Sequence, residues 1–327
     1  MTILHFNDTS MKEAVAFLKQ GRLVAIPTET VYGLAGDATN GKAVASIFAV
    51  KKRPQFNPLI AHVSSIAMAE CYVEIDLISR QLMEEFWPGP LTFVLPLKRH
   101  HDIHPLVTSG LDTLAVRFPC GCFSEIIRYL GRPLAAPSAN RSGYLSPTSA
   151  GSVFASLGEE IPLIIDGGPS KIGLESTIIK ICGENIYLLR PGGVASKDIE
   201  DVTGKSLKRI DQCAAVEAPG MLQSHYAPNA SVRLNAQEVD SGEALLAFGP
   251  KRIFGVENAV AILNLSESGQ LNEAAFNLFQ YMRRLDLFKV KSIAVEPIPS
   301  YGLGEAINDR LMRAAAPKGK VDGTGFN

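Results

Sequence analysis

Apolar positions along the chain follow two alternating rhythms: short unbroken runs of the kind that form buried strands, and stripes repeating every three to four residues. Residues 10–21 predict a helix, with Ser10 and Glu13 spaced as a capping box, Ala14, Phe17 and Leu18 as its stripe and Gly21 as its stop. A short strand follows at 23–26, and residues 39–51 place Val44, Ile47 and Phe48 on one helical face. Further strands are predicted near 59–63, 91–97, 114–118, 134–136 and 161–165, with helical spacing between several of them. Two β-type runs, 176–181 and 186–189, are close enough for a hairpin, which Pro191-Gly192-Gly193 ends. The fold class is α/β, with mixed strand directions.

The rhythm is lost from about 204 to 228, where Pro219-Gly220 and Pro228 punctuate a stretch of low apolar content. Strands then return near 244–248, 260–263 and 292–295, around a long helix whose stripe is Leu271, Ala275, Leu278, Met282 and Leu285. The expected division is a first domain at 1–206, a linker at 207–230 and a smaller α/β domain at 231–327.

A length of 327 residues agrees with about two domains, and 46% hydrophobic with 20% charged residues describes a chain able to bury a core. The longest charge-free stretch, 142–158, is rich in Ser, Gly and Pro and is no membrane span. Residues 1–10 carry neither the basic nor the apolar part of a secretory signal, so a cytoplasmic location is expected. Five cysteines at irregular spacing argue against a disulfide framework, and Cys120 and Cys122 are too close for a zinc ribbon. The net charge of −1 divides evenly: 21 basic against 20 acidic residues up to residue 210, and 11 against 13 beyond it. Neither part is a basic surface for nucleic acid, and RNA contact would need a local patch.

Several nucleotide signatures are missing. No G-x-x-x-x-G-K-[ST] loop occurs, and the G-x-G at Gly302 and Gly304 lacks its third glycine and reads as a turn before the last helix. His100, His101 and His104 read as a solvated loop, and no Gly-x-Ser-x-Gly elbow is present. What remains is a set of polar residues at strand ends, where open α/β sheets place ligands. Pro27 to Leu34 interrupts an apolar strand with two hydroxyls and a carboxylate, and reads as a polar turn or a site. Lys51-Lys52-Arg53-Pro54 crowds cations at a helix end, where they also complement the helix dipole. Arg117 sits in an otherwise apolar strand, which is costly unless it meets a carboxylate or phosphate. The loop 137–143 offers amides and hydroxyls suited to phosphate oxygens, and Arg190 ends a late strand. From the residues alone, the chain is an α/β enzyme handling a phosphorylated or carboxylated small molecule.

Five segments together resemble the YrdC-like family: Pro27 to Leu34, Lys51 to Pro54 with Asn57-Pro58-Leu59, Phe86 to Thr92, Pro137-Ser138-Ala139-Asn140, and Gly173 to Thr177. With Leu189 to Gly193, the linker from Ala218 to Pro228 and the extra domain, the chain is similar over nearly its whole length to the two-domain type of L-threonylcarbamoyl-AMP synthases. The resemblance implies a YrdC-like twisted mixed sheet with helices, plus a smaller C-terminal Rossmann-like α/β domain. It implies synthesis of L-threonylcarbamoyl-adenylate and pyrophosphate from L-threonine, bicarbonate and ATP, with Mg2+ accompanying ATP. A separate tRNA threonylcarbamoyl transferase is then the downstream partner, acting on the tRNA adenosine 3′ of the anticodon, with weak tRNA contact by this chain allowed.

By the same resemblance, Thr30, His62, Arg117 and Ser176, with the backbone at Ala136, hold threonine or its carbamoyl group. Arg53, Asn57, Thr113, Ser138, Ser146, Arg190 and Tyr226 hold ATP, and Lys51, Arg53, Ser138 and Asn140 form the Lys-x-Arg and Ser-x-Asn catalytic pattern. No residue is implied as a metal ligand. The chemistry suits such a set, because an anionic carbamate must approach an anionic α-phosphate and cations must cancel the repulsion. Where some relatives carry a basic residue after the linker methionine, this chain has Leu222. Two other readings stand beside the enzyme: a non-catalytic RNA-binding module of the same fold, and the carbamoyl-transfer module of hydrogenase maturation proteins, whose Cys-x-x-Cys pairs are absent here. Tyr226, beyond the first domain's periodic segments, implies that the linker folds over the site as a lid, and that a chain cut after Thr203 folds without it.

Overall fold

The computed structural model describes residues 1–209, 218–219 and 225–317. Among them, eleven strands form one large sheet: β1 (Thr2–His5), β2 (Val24–Pro27), β3 (Tyr32–Asp37), β4 (Ile60–His62), β5 (Leu91–Pro96), β6 (Thr113–Arg117), β7 (Leu134–Ala135), β8 (Leu163–Asp166), β9 (Thr177–Cys182), β10 (Asn185–Arg190) and β11 (Lys208–Arg209). Their order is β1-β8-β2-β3-β7-β4-β6-β5-β9-β10-β11. Parallel pairs such as β4 with β6 alternate with antiparallel ones such as β5 with β6, so the mixed directions are present. β11 pairs with β10, so the first sheet runs past the boundary expected at 206. Residues 210–217 and 220–224 of the linker, Leu222 included, lie outside the described residues.

Helices cover both faces. On one, Asp8–Lys19 and Cys122–Leu130 bury Val15, Leu18, Ile126 and Ile127 against Val24, Ile26 and Ile165. On the other, Gly41–Lys51 and Leu77–Phe86 bury Ile47, Phe48 and Leu82 against Leu34, Phe93 and Val116. Removing any of these large side chains to alanine costs about 2–5 kcal/mol, because the packed sheet cannot collapse into the hole.

The first helix starts earlier than its spacing predicts. Asn7 caps it, its side chain accepting from the amides of Thr9 (2.9 Å) and Ser10 (3.0 Å), while the Ser10 hydroxyl accepts from the Asn7 amide (2.9 Å). Ser10 therefore completes the capping box from inside the helix. A larger difference concerns residues 27–34, which are a hairpin joining β2 to β3. Thr28 closes it: its hydroxyl donates to the Val31 carbonyl (2.7 Å) and accepts from the amides of Thr30 (3.1 Å) and Val31 (3.2 Å). β3 escaped the hydrophobic pattern because two of its six residues are glycines, which weaken a strand signal. Both sit in tight packing: a β-carbon on Gly36 would meet the Leu23 side chain at 3.0 Å, and one on Gly33 would meet the Phe123 ring at 3.2 Å, so either neighbour would have to shift.

The second domain is a parallel four-stranded sheet, β12 (Ser231–Arg233), β13 (Ala244–Ala247), β14 (Ile262–Asn264) and β15 (Ser292–Val295), in the order β12-β15-β13-β14. The helix Leu271–Asp286 packs on it through Ala275, Leu278, Met282 and Leu285, all buried as their spacing predicts. This core does not stop at the domain boundary. Val31, Leu145 and Leu174 of the first domain join Tyr226, Leu278 and Phe279 in one cluster. Gly173, at φ +80°, makes the contact possible, since a β-carbon there would lie 2.5 Å from the Ala275 carbonyl oxygen and 2.6 Å from the Phe276 Cα. Among the described residues, no helix is long and apolar enough to cross a membrane.

Candidate active site

The register of the large sheet assembles the site. His62 and Arg117 end the parallel neighbours β4 and β6 as matched partners, at the carboxyl edge where α/β sheets bind ligands. The β2–β3 turn brings Thr30 beside them, Ala136 and Ser138 follow β7, and Arg190 ends β10 next to the start of β9. Together with Arg53, Glu175, Pro219, His225 and Tyr226, these residues line a cavity of about 50 Å³.

Arg117 is fixed on three sides. Its Nε donates to the Gly89 carbonyl (3.1 Å), Nη1 to the Thr30 hydroxyl (3.0 Å) and Nη2 to Glu29, in a pair almost wholly removed from solvent. Among the described residues, two of the guanidinium's five N–H groups have no partner and could meet a ligand carboxylate. Glu29 is also anchored by accepting from the Cys120 amide (3.0 Å). His62 is neutral here: burial, with Arg117 adjacent, pushes its pKa down to about 3. His225 is likewise held near 3, by burial first.

Among the described residues, two other arginines meet only neutral oxygens. Arg53 donates to the Asn57 carbonyl (3.0 Å), the Asn57 side-chain oxygen (2.7 Å) and the Pro58 carbonyl (2.8 Å). Arg190 donates to the Ser176 carbonyl (3.1 and 2.9 Å) and hydroxyl (3.2 Å) and to the Pro219 carbonyl (3.1 Å). Burial pushes the Arg53 guanidinium below its ordinary value, Tyr226 opposing and Arg190 adding to the effect. Guanidinium keeps its proton under such pressure, so two positive charges face one cavity with no carboxylate at ion-pair distance among the described residues.

Lys51, a catalytic residue by the resemblance, stands behind the cavity wall in this structure. Its ammonium nitrogen is turned to the carbonyls of Ser138 and Asn140 and does not line the cavity. Burial first, then Arg53, lowers its pKa. In this position Lys51 ties the loop 138–140 to the helix Gly41–Lys51, while Asn140 braces the same loop by donating to the carbonyls of Arg141 (2.9 Å) and Tyr144 (2.7 Å).

Of the other expected ligands, Asn57 and Ser176 stand one shell back, each holding an arginine, and the Ser176 hydroxyl also pairs with that of Thr92 (2.7 Å). Ser146 donates to Glu175 (2.5 Å). Thr113 begins β6, about 13 Å along the strand from Arg117 and outside the cavity. Tyr226 does reach the cavity, with a strained φ of +62°, its ring stacked on Phe279 at 5.6 Å. Among the described residues, His62 Nδ1 and His225 Nδ1, both on the cavity wall, are buried without a hydrogen-bond partner, as suits a site that takes polar groups from a ligand; Asn57 Nδ2 and Asn140 Oδ1, off that wall, are unpartnered as well.

Glu175 and Arg310, joined at 2.8 Å across the two domains, form a pair that no sequence motif marks. The available signal was the one that singled out Arg117: Arg310 stands on the buried stripe of the helix Gly304–Ala315, between Ile307 and Leu311.

Two family models match the chain. That of the Sua5, YciO and YrdC proteins, described as "Telomere recombination", covers residues 16–192, and that described as "Threonylcarbamoyl-AMP synthase, C-terminal domain" covers residues 194–316. The threonylcarbamoyl-AMP synthase of Bacillus subtilis is 39% identical over 95% of this chain and 94% of its own, and that of Pyrococcus abyssi is 39% identical over 94% of each. The crystal structure of P. abyssi Sua5 complexed with L-threonine superposes with a TM-score of 0.87, at 36% identity, over 96% of this chain and 98% of that one. Matched in both domains and along nearly the full length of these relatives, the chain belongs to the family of two-domain threonylcarbamoyl-AMP synthases.

Proposed function

We propose that this chain is a nucleotidyltransferase that makes L-threonylcarbamoyl-adenylate from L-threonine, bicarbonate and ATP, releasing pyrophosphate. The observation that carries the reading is the pair of buried guanidinium groups, Arg53 and Arg190, which face one cavity and, among the described residues, meet only neutral oxygens. A triphosphate supplies the missing negative charge. Arg117, with two N–H groups unpartnered among the described residues and Thr30 beside it, suits the threonine carboxylate.

The chemistry follows from that division. Threonine's amine and bicarbonate give a carbamate with loss of water, a carbamate oxygen bonds to the α-phosphorus of ATP, and the bond to the β-phosphate oxygen breaks to release pyrophosphate. Arg53 and Arg190 offset the repulsion between the two anions, and alignment of the reactants lowers much of the remaining barrier. Neither histidine is a proton carrier near neutral pH, since both are held near pKa 3. Magnesium fits only as a passenger on ATP. The cavity's carboxylates, Glu29 and Glu175, are paired to Arg117 and Arg310, and among the described residues no three His, Cys, Asp or Glu side chains cluster to hold a metal. A tRNA threonylcarbamoyl transferase would consume the product, which favours the cytoplasm as the compartment.

Pyrophosphate release measured with each substrate omitted in turn tests the reading. Release should require both threonine and bicarbonate. Equal release without threonine sinks it, and RNA binding without turnover would favour the binding-module alternative.

A further inference from the structure

We infer that Arg310, on the last helix of the second domain, is a positioning residue for the ATP-binding wall of the first: it holds Glu175 away from Arg190 and so keeps the Arg190 guanidinium for the triphosphate. The inference rests on the proposed role of Arg190.

One guanidinium, with no exposed surface, reaches the site at Glu175, Pro191 and Tyr226 and is held by its helix neighbour Asp309. Its Nε donates to Glu175 (2.8 Å), its Nη2 to the Pro191 carbonyl (3.0 Å) and its Nη1 to Asp309 (2.5 Å), while the group stands 5.1 Å from the centre of the Tyr226 ring. Glu175 precedes Ser176, the residue that takes three bonds from Arg190, and Pro191 follows Arg190 itself. Arg310 thus grips the chain on either side of the Ser176–Arg190 contact. The other Glu175 oxygen accepts from the Ser146 hydroxyl (2.5 Å), so the carboxylate is satisfied without Arg190.

Burial alone would raise the Glu175 carboxyl. Arg310 and Arg190, with help from Ser146, outweigh burial and hold the group below the ordinary carboxylate value. Without Arg310, the buried carboxylate would have Arg190 as its nearest strong cation. Pairing with it would neutralise a charge meant for ATP and set a negative group against the phosphates. Glu29 serves Arg117 in the opposite sense, since that pair engages one N–H of a guanidinium that still lines the cavity.

The test is a charge-pair cycle in the full-length chain, read by calorimetric titration with ATP alone and with L-threonine alone. Arg310→Met should weaken ATP binding about tenfold or more and threonine binding less than about threefold, since Arg310 touches none of Thr30, His62 or Arg117. The double variant Glu175→Gln with Arg310→Met removes both charges and should recover most of the ATP affinity. Three results would overturn the inference: ATP affinity within about twofold of the unaltered chain in Arg310→Met, equal loss of both ligands, or a double variant as weak as the single one. ATP binding by the unaltered chain reports on the functional reading separately.

Discussion

Gly192 lies directly over the peptide that joins Ser176 to Thr177: a β-carbon on it would collide with the Ser176 carbonyl carbon and the Thr177 amide nitrogen. The obstacle is backbone, so no side chain can swing aside. The loop after Arg190 and the strand start that receives Arg190 are therefore pressed together at the one residue type that allows it.

Gly192→Ala should separate the two. Overpacking of this kind costs about 1–3 kcal/mol of stability. A melting curve should show that loss, and pyrophosphate release should fall by about tenfold or more as Arg190 leaves the Ser176 carbonyl. Full activity in a chain that melts normally would mean the contact is not needed.

The two ligand arginines should separate in titrations. Arg53→Ala should weaken ATP and Arg117→Ala threonine, each by roughly 10 to 100-fold, the worth of about 1.5–3 kcal/mol for a charge-assisted bond. Arg117→Ala should also destabilise the fold, because it leaves the Glu29 carboxylate buried alone. Adding Glu29→Gln should restore stability without restoring threonine affinity; the reverse assignment of ligands would refute both roles.

His62 and His225 give the fold a pH dependence with a definite sign. Each titrates near 6.5 when unfolded and near 3 when folded, so between these values the unfolded chain binds the extra proton. Stability should therefore fall as pH drops below about 6.5, by up to about 1.4 kcal/mol per pH unit for each histidine. Urea melts between pH 6.5 and 5, above most carboxylate titration, should show this slope, and His62→Asn should reduce it by about half. An unchanged slope would place the charge change elsewhere.

Lys51→Met should act through the loop 138–140. With its two carbonyl partners left unpaired, that loop loses its tie to the helix Gly41–Lys51, and the ATP KM should rise while kcat changes little. A fall in kcat alone, with KM unchanged, would return Lys51 to the reacting atoms.

Where the fold was legible in the sequence, one period dominated. The strands ending in His62 and Arg117 are apolar runs, and the stripe from Leu271 to Leu285 faces one core. β3 was hidden by its glycines, whose value is the space they leave for Leu23 and Phe123. The site was legible in part for a related reason. An arginine inside an apolar strand is visible as a local contradiction, and Arg117 was found that way. Arg310 poses the same contradiction on a helix, but its partner Glu175 is 135 positions away, and no local pattern joins them. The distinction between a residue on the cavity wall and one behind it, as with Lys51 and Ser146, depends on side-chain direction and is not written in spacing at all.

The apolar cluster that joins Val31, Leu145 and Leu174 to Leu278 and Phe279 bears on what a cut in the chain would do. A fragment ending at Thr203 would carry three uncovered apolar side chains, so the expectation that it folds cleanly on its own gives way to one of a sticky, destabilised piece. The same surface would serve as a dock. Produced as two separate polypeptides, the halves should find each other and restore activity in trans, making the enzyme divisible in covalent terms and indivisible in folding terms.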